Sequence, residues 1–115
     1  MQPLLSIIEE PLDDIIGIRL IGRLDSSNAG ELEAILPERV AGNEKVLLDC
    51  SRLEFISSAG LRIVLMAAKK AKQRDGRFAL CGMDENIHGV FETSGFLRIL
   101  RVYPDRDTAI ASMRS

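Results

Sequence analysis

The feature that most limits the fold of this chain is a short apolar run near its middle, KVLLDC (Lys45–Cys50). A run that is apolar at successive positions is typical of a strand buried on both faces of a sheet. A second run of this kind, FALCGM (Phe78–Met83), follows after a stretch with helical spacing. Because buried strands that alternate with helices form sheets crossed by those helices, the sequence predicts a layered α/β fold.

The same two periodicities predict the remaining elements, in the order β-β-α-β-α-β-α-β-α. This order implies a central mixed sheet with helices packed against it. A length of 115 residues suits one compact domain over residues 1–115. The predicted strands are Leu4–Glu10, Ile15–Gly22, Lys45–Cys50, Phe78–Met83 and Phe96–Tyr103. The predicted helices are residues 26–42, Ser58 to about Arg74, Asn86–Gly95 and Asp105–Met113.

Local signals refine these elements. Pro11 and the two aspartates that follow it predict the turn of the opening hairpin. Asn28 and Glu31 have the spacing of a capping box, and Pro37 should kink or end the first helix at its midpoint. Gly95 is a candidate C-cap. In the predicted helix Asn86–Gly95, the inward-facing residues are expected to be Ile87, Val90 and Phe91.

Composition excludes several classes of function. Lys and Arg total 15 against 17 Asp and Glu, without a basic run, which argues against nucleic acid as a partner. No apolar stretch approaches the roughly 20 residues that a membrane-spanning helix needs, so no membrane insertion is expected. The first residues, MQPLLSIIEE, lack the basic start and cleavage site of a signal peptide. We therefore expect a cytoplasmic protein.

The metal-binding side chains are few. Cys50 and Cys81 each lie inside an apolar run, which indicates buried, reduced thiols. With His88 as the single histidine, the chain cannot build a zinc site of familiar ligand spacing. We expect His88 to be a surface or half-buried residue, and we expect neither a metal nor a cofactor.

The helix that begins at Ser58 is apolar on two sides. Leu61, Val64, Leu65, Ala68 and Ala71 share one stripe, which should face the sheet. Ile63 and Met66 fall nearly opposite that stripe, next to Arg62. They are either scattered apolar residues of an ordinary surface or part of a docking surface for another protein.

The pair Ser57 and Ser58 stands where the central strand gives way to this helix, in LEFISSAGLRIVL. A serine there can simply cap the helix. A phosphate on Ser58 would also be tolerated, because free N–H groups and the helix dipole favour an anion at a helix N-terminus. Ala59 and Gly60 leave the backbone bare to an approaching partner, and Asp25 follows a neighbouring strand. The junction is therefore a candidate switch as well as a cap.

Catalysis finds little support in the same residues. The sequence contains neither a G-x-S-x-G elbow nor a G-x-x-x-x-G-K-[ST] phosphate loop. His88 lies in a different predicted helix from Ser58, with no motif that links them. Asp25 and Asp49 could act as paired carboxylates, but solvated acids at strand ends are commoner. We expect a protein that binds and is not an enzyme.

The stretch VLLDCSRLEFISSAGLRIVLMAAKKAKQRDGRFALCGM, with GRLD before it and GVFETSGFLRIL after it, resembles the STAS domain of bacterial anti-sigma factor antagonists. The resemblance implies a partner switch. The unphosphorylated protein would bind an anti-sigma factor that is also a GHKL-type serine kinase, which frees the sigma factor. Phosphorylation of a serine at the start of the helix would end that complex, and a metal-dependent serine phosphatase of the PP2C type would restore it.

The resemblance also assigns residues. The phosphoacceptor corresponds to Ser58 and the nearby acidic residue to Asp25, while Gly60 and Leu61 match the Gly-Leu pair of the family. Such antagonists usually carry Asp directly before the acceptor, and here Ser57 takes that place and competes weakly as an acceptor. The implied phosphosite pocket comprises Asp25, Ser57, Ala59 and Gly60, and the implied partner-binding face comprises Arg62, Ile63 and Met66.

Two other functions stay open at this point. A STAS domain can be a permanent structural subunit of an ABC-type lipid transporter complex, in which case the serine would be only a cap. A nucleotide-binding or hydrolysing enzyme is the other alternative, and it lacks a recognisable phosphate loop. A monomer is the simplest assumption for the oligomeric state.

Overall fold

The computed structural model describes residues 3–114. Its sheet has the strand order β1-β2-β3-β4-β5, in which β1 runs antiparallel to β2 and the other neighbours are parallel. The predicted α/β class with a mixed sheet is confirmed. The strands are β1 (Leu5–Leu12), β2 (Ile15–Leu24), β3 (Lys45–Ile56), β4 (Arg77–Cys81) and β5 (Arg101–Tyr103). The helices are α1 (Ala29–Glu33), α2 (Leu36–Gly42), α3 (Ser58–Gln73), α4 (Glu85–Thr93) and α5 (Arg106–Met113).

The sheet is covered on both faces. The larger core lies between the sheet and α1 to α4, and it includes Val46 and Leu48 of β3. The smaller core lies on the opposite face, where Leu47 packs with Ala109 and Met113 of α5. Successive residues of β3 thus point into different cores, which explains why the central run is apolar without alternation.

The opening hairpin turns later than predicted. Strand β1 continues through Pro11 to Leu12, and Leu12 pairs with Ile15. Asp13 has a φ of 61°, in the left-handed region that a tight turn needs and that Asp tolerates better than most residues. Proline is accepted in β1 because that strand lies at the edge of the sheet.

The first predicted helix is two helices. Helix α1 ends at Glu33, and α2 begins at Leu36 with Pro37 in its first turn, which confirms that the proline ends the first half. The capping-box prediction is wrong in its chemistry. Asn28 occupies the N-cap position, but its side chain makes no cap hydrogen bond. Its amide faces back into the preceding loop instead.

The last predicted strand is mostly not a strand. Gly95, with a φ of 80°, follows the end of α4, as its C-cap prediction requires. Phe96–Arg98 then forms a 3-10 turn, and the strand itself is only Arg101–Tyr103. Phe96 packs against the larger core from this turn. The apolar residues at the start of the predicted strand therefore cover the core and do not pair in the sheet.

Both cysteines are buried and unpaired. Cys50 belongs to the larger core and Cys81 to the smaller core, so the thiols lie on opposite faces of the sheet. Burial raises the pKa of both thiols, that of Cys81 to about 12. Over residues 3–114, no helix combines the length and the apolar character needed to cross a membrane.

Candidate functional site: the junction of β3 and α3

Only Ser57 separates β3 from α3, and it is the residue that caps the helix. Its Oγ accepts a hydrogen bond from the backbone N–H of Gly60 at 3.3 Å. Its own N–H donates to the carbonyl oxygen of Leu24 at 2.9 Å. The second bond ties the start of α3 to the end of β2, so the helix N-terminus is held against the edge of the sheet.

Ser58 is the first residue of α3 and has a different role from its neighbour. Its side chain is exposed, and its hydroxyl makes no hydrogen bond within residues 3–114. Because Ser57 already supplies the cap, the Ser58 hydroxyl is free to react or to contact a partner. The structure thus shows that Ser57, and not Ser58, caps the helix.

Gly60 serves the interior and not the surface. A Cβ atom at Gly60 would lie 2.8 Å from the side chain of Leu24 and 3.0 Å from that of Ile56. Helix α3 therefore approaches the ends of β2 and β3 so closely that no side chain fits between them. The expectation that Gly60 bares the backbone to a partner is wrong, because this residue is buried. Ala59 is half-buried and packs against the same core.

Asp25 lies near the serines, at the carboxyl ends of β2 and β3. Leu24 pairs with Ile56 at the ends of β2 and β3, and Asp25 is the next residue along the chain. The carboxylate of Asp25 accepts hydrogen bonds from the hydroxyl and the backbone N–H of Ser27. These bonds lower the pKa of Asp25 below its ordinary value. Asp25 therefore adds a negative charge to this end of the sheet at neutral pH.

Asn28 holds the loop that carries Asp25. Its side-chain oxygen accepts from the backbone N–H of Asp25, and its side-chain nitrogen donates to the carbonyl oxygen of Arg23, both at 2.9 Å. Because the side chain of Asn28 is buried, these bonds are shielded from water. The sequence singled out Asn28 as a helix cap, and its role in positioning Asp25 was missed.

The outer face of α3 contains two of the three predicted partner-binding residues. Arg62 is exposed, and Met66 retains 45% of its surface. With Ser58 they form a row at four-residue spacing along one side of the helix. Ile63 is only 3% exposed, so its predicted place on the outer face is wrong. The reason is that α1 and α2 pack beside α3 and share its core, whereas the sequence suggested that only the sheet covers it.

A groove of about 580 Å³ runs from Ser58 to helix α4. Ser58 and Leu61 line one side, and Glu85, Gly89 and Val90 line the other. Among the described residues that line it there is no Lys or Arg. The groove therefore presents apolar surface and a carboxylate beside the Ser58 hydroxyl.

The contribution of α4 to this groove was missed in the sequence. Val90 was predicted to face inward, but it is 37% exposed, while Ile87 and Phe91 are buried as expected. Gly89 could have indicated this surface in the sequence. Glycine destabilises the interior of a helix, so its presence there suggests that a side chain at that position would be in the way. No atom lies within 4 Å of the position where its Cβ would stand, so this glycine leaves the groove open.

The remaining candidate residues lie elsewhere. His88 is half-buried, as predicted, with its Nδ1 3.6 Å from a carboxylate oxygen of Glu92, and it does not line the groove of Ser58.

Asp49 was expected to be a solvated acid, but it is buried on the face that α5 covers. Its carboxylate lies 3.5 Å from the Nε of Arg19 and 3.8 Å from a guanidinium nitrogen of Arg106. These cations offset the cost of burying its charge.

Comparison with known proteins agrees with this architecture. The chain is 41% identical over 107 residues, which cover 92% of each chain, to a protein of Bordetella bronchiseptica that carries the provisional name anti-sigma factor antagonist BtrV. The fold matches the anti-sigma factor antagonist SpoIIAA in its unphosphorylated form, with a TM-score of 0.80, 22% identity and coverage of 95% of this chain and 96% of that chain.

Two further structures share the fold. The phosphorylated form of SpoIIAA, a Bacillus cell fate determinant, matches with a TM-score of 0.73, 22% identity and coverage of 94% and 99% of the two chains. A sulfate transporter family protein of Wolinella succinogenes matches with a TM-score of 0.78, 19% identity and coverage of 90% and 87%. The model of the STAS domain matches residues 7–109. The chain therefore belongs to the STAS domain family, and within that family to the anti-sigma factor antagonists.

Proposed function

We propose that this chain is a cytoplasmic anti-sigma factor antagonist that works by partner switching. In its unphosphorylated form it binds an anti-sigma factor that is a GHKL-type serine kinase. That kinase phosphorylates Ser58 and then dissociates. A PP2C-type serine phosphatase removes the phosphate and so restores the form that binds the kinase. The observation that carries the proposal is the exposed, unbonded hydroxyl of Ser58 on a capped helix, beside an exposed row of partner-accessible side chains.

The charges around Ser58 explain why a phosphate would end binding. A phosphoserine adds a charge of about −1.5 to −2 at neutral pH. The groove beside Ser58 contains the carboxylate of Glu85, and the described residues lining it include no cation to neutralise the phosphate. A partner fitted to the groove of the unphosphorylated protein would therefore meet an added negative charge there. The domain itself tolerates the phosphate, because a helix N-terminus favours an anion.

Arg62 gives the switch a second component. It lies four residues after Ser58, the spacing at which side chains on a helix meet. Once phosphorylated, Ser58 can pair with this guanidinium and draw it away from a bound partner. Met66, one turn further, keeps its exposed apolar surface in both states. In this proposal Asp25 and Ser57 border the phosphosite, and Ala59 and Gly60 shape it from beneath.

The names of similar proteins support the proposal. BtrV and SpoIIAA are both named anti-sigma factor antagonists, and SpoIIAA has been solved in unphosphorylated and phosphorylated forms. The matching protein from Wolinella belongs to a sulfate transporter family, and this match favours one alternative, a STAS subunit of a transporter complex. In that alternative Ser58 would carry no phosphate, and its substitution would not affect assembly.

Phosphate mapping on protein purified from the native cells tests the proposed site. We expect fragmentation mass spectrometry to place the phosphate on Ser58 in the wild type. The phosphate should persist in Ser57→Ala and disappear in Ser58→Ala, since only the second variant removes the free hydroxyl. Phosphate on Ser57, or a phosphorylation level unaffected by Ser58→Ala, would refute the assignment.

A further inference from the structure

A second groove lies at the other end of α3 from Ser58, between the last turns of that helix and the β5 edge of the sheet. Its volume is about 390 Å³. Helix α3 contributes Ala68 and Lys72, and the segment around β5 contributes Arg98, Ile99 and Arg101. None of these residues takes part in the proposed switch, so what binds here is independent of that proposal.

This groove is positively charged, although the chain as a whole carries a net negative charge. Four cations line it, Lys72, Arg77, Arg98 and Arg101, and none of its described lining residues is acidic. The whole chain carries a formal net charge of −2. The local excess of positive charge therefore reflects where the residues are placed and not the overall composition.

Structural roles account for only two of these cations. Arg77 donates a hydrogen bond to the carbonyl oxygen of Met113 and so joins β4 to α5. Lys72 lies in the last turn of α3, where the helix dipole favours a positive charge. Arg98 and Arg101 are exposed and form no ion pair within the described part of the chain.

Several cations on other surfaces of this protein, unlike those two arginines, have acidic partners. Arg39 pairs with Glu9 at 2.6 Å, Lys45 with Asp14 at 2.7 Å and Arg114 with Asp13 at 2.8 Å. The chain thus supplies acidic partners to cations on several other surfaces. Arg98 and Arg101 differ from other cations without an ion pair in the described chain, such as Arg52, because they line a groove that an acidic group from outside could enter.

An exposed apolar side chain lines the same groove as the two arginines. Ile99 is 56% exposed, among the most exposed of the large apolar residues in the described chain. Leu100 and Phe78, which are buried, add apolar surface to the lining of the groove. Strand β5 is also the edge of the sheet, and an edge strand presents backbone donors and acceptors to a neighbouring chain.

We propose that this groove binds an extended, acidic segment of a partner protein. Carboxylates of that segment pair with Arg98 and Arg101, and an apolar side chain packs on Ile99. Exposed apolar surface, an open strand edge and unpaired arginines together suit a polypeptide. Single-stranded nucleic acid would require exposed aromatic side chains for stacking, and Phe78, the one aromatic residue among those described as lining the groove, is buried. A lipid surface would require an amphipathic helix and not a concave groove.

Selection from a phage-displayed library of random short peptides tests this proposal on the intact chain. Enriched peptides are synthesised, and their affinities are measured by fluorescence anisotropy for the wild type and four variants. Arg101→Glu is matched by Arg52→Glu, an exposed arginine on β3. Ile99→Ser is matched by Ile8→Ser, an exposed isoleucine on β1.

We expect the enriched peptides to combine Asp or Glu with an apolar residue. Arg101→Glu and Ile99→Ser should each weaken binding on the order of tenfold, and the matched variants should not. The proposal is overturned if no peptide is enriched, if the enriched peptides lack acidic residues, or if the matched variants weaken binding equally. Single-stranded DNA and phosphatidylglycerol vesicles serve as further probes. If either binds through Arg101 where no peptide does, the groove belongs to that ligand class instead.

Discussion

At the scale of single residues, two adjacent serines differ in their hydrogen bonding because the backbone changes conformation between them. Ser57 keeps an extended ψ of 173°, which directs its hydroxyl toward the first turn of α3. Ser58 is already helical, so its hydroxyl points to solvent. The sequence predicted a cap and a switch at this pair. The family resemblance assigned the phosphoacceptor to Ser58, but local signals did not show which serine caps the helix, because the first residue of a helix is uncertain by one or two positions.

This difference in hydrogen bonding predicts unequal stabilities for two alanine variants. Ser57→Ala should lower the free energy of unfolding by about 1 kcal/mol, because the N–H of Gly60 loses its acceptor. Ser58→Ala should change it by less than about 0.5 kcal/mol, since no hydrogen bond is lost at that exposed position. Urea unfolding followed by circular dichroism measures both values. An equal loss in the two variants would show that Ser58 also caps the helix.

At the scale of elements, the sequence predicted best those segments whose own periodicity and punctuation mark them. The buried strand β3, helix α3 and the break at Pro37 were all anticipated from local patterns. Ile63 was misplaced because its burial depends on α1 and α2, and no local pattern reports which helices lie side by side. The segment Phe96–Tyr103 was misjudged because a short apolar run fits a strand and a 3-10 turn equally well.

The close approach of α3 to the sheet predicts opposite effects for two glycine substitutions. Gly60→Ala should destabilise the protein by about 1–3 kcal/mol, because its Cβ would collide with Leu24 and Ile56. Gly89→Ala should stabilise it by up to about 1 kcal/mol, since the new methyl group meets open space inside a helix. Thermal and urea unfolding of the two variants measure the difference. If Gly60→Ala is as stable as Gly89→Ala, the helix does not depend on this contact.

At the scale of the whole molecule, different charged side chains lie near the two ends of α3. The end that contains Ser58 is flanked by Asp25 and Glu85, and the other end by Arg98 and Arg101. The layered architecture was predictable from the order of the elements. This distribution was not, because it arises from residues that are distant along the chain and that only the folded sheet brings to the same end of α3.

Surface carboxylates also set how stability depends on pH. The pKa values of Asp14, Asp25 and Asp105 lie below the ordinary value of 3.8, through hydrogen bonds from Lys45, Ser27 and Thr108 respectively. Each group therefore adds stability that is present above that value and is lost as the pH falls through its lower, folded-state pKa.

We expect the free energy of unfolding to hold steady from neutral pH toward the ordinary carboxyl value of 3.8 and to decline below it. Replacing all three aspartates with asparagine should make that decline shallower. Urea unfolding over a pH series measures both curves. An unchanged slope in the triple variant would show that these carboxylates do not govern acid stability.

The central claim is that a charge at Ser58 decides which partner the chain holds, and affinity capture from native cell lysate tests it most directly. The baits are the wild type, Ser58→Asp and Ser112→Asp, the last placing the same charge on α5 at the opposite face of the sheet. We predict that a GHKL-type kinase is retained by the wild type and by Ser112→Asp and is lost from Ser58→Asp. A transporter ATPase held equally by all three baits would contradict the account and would make this chain a structural subunit.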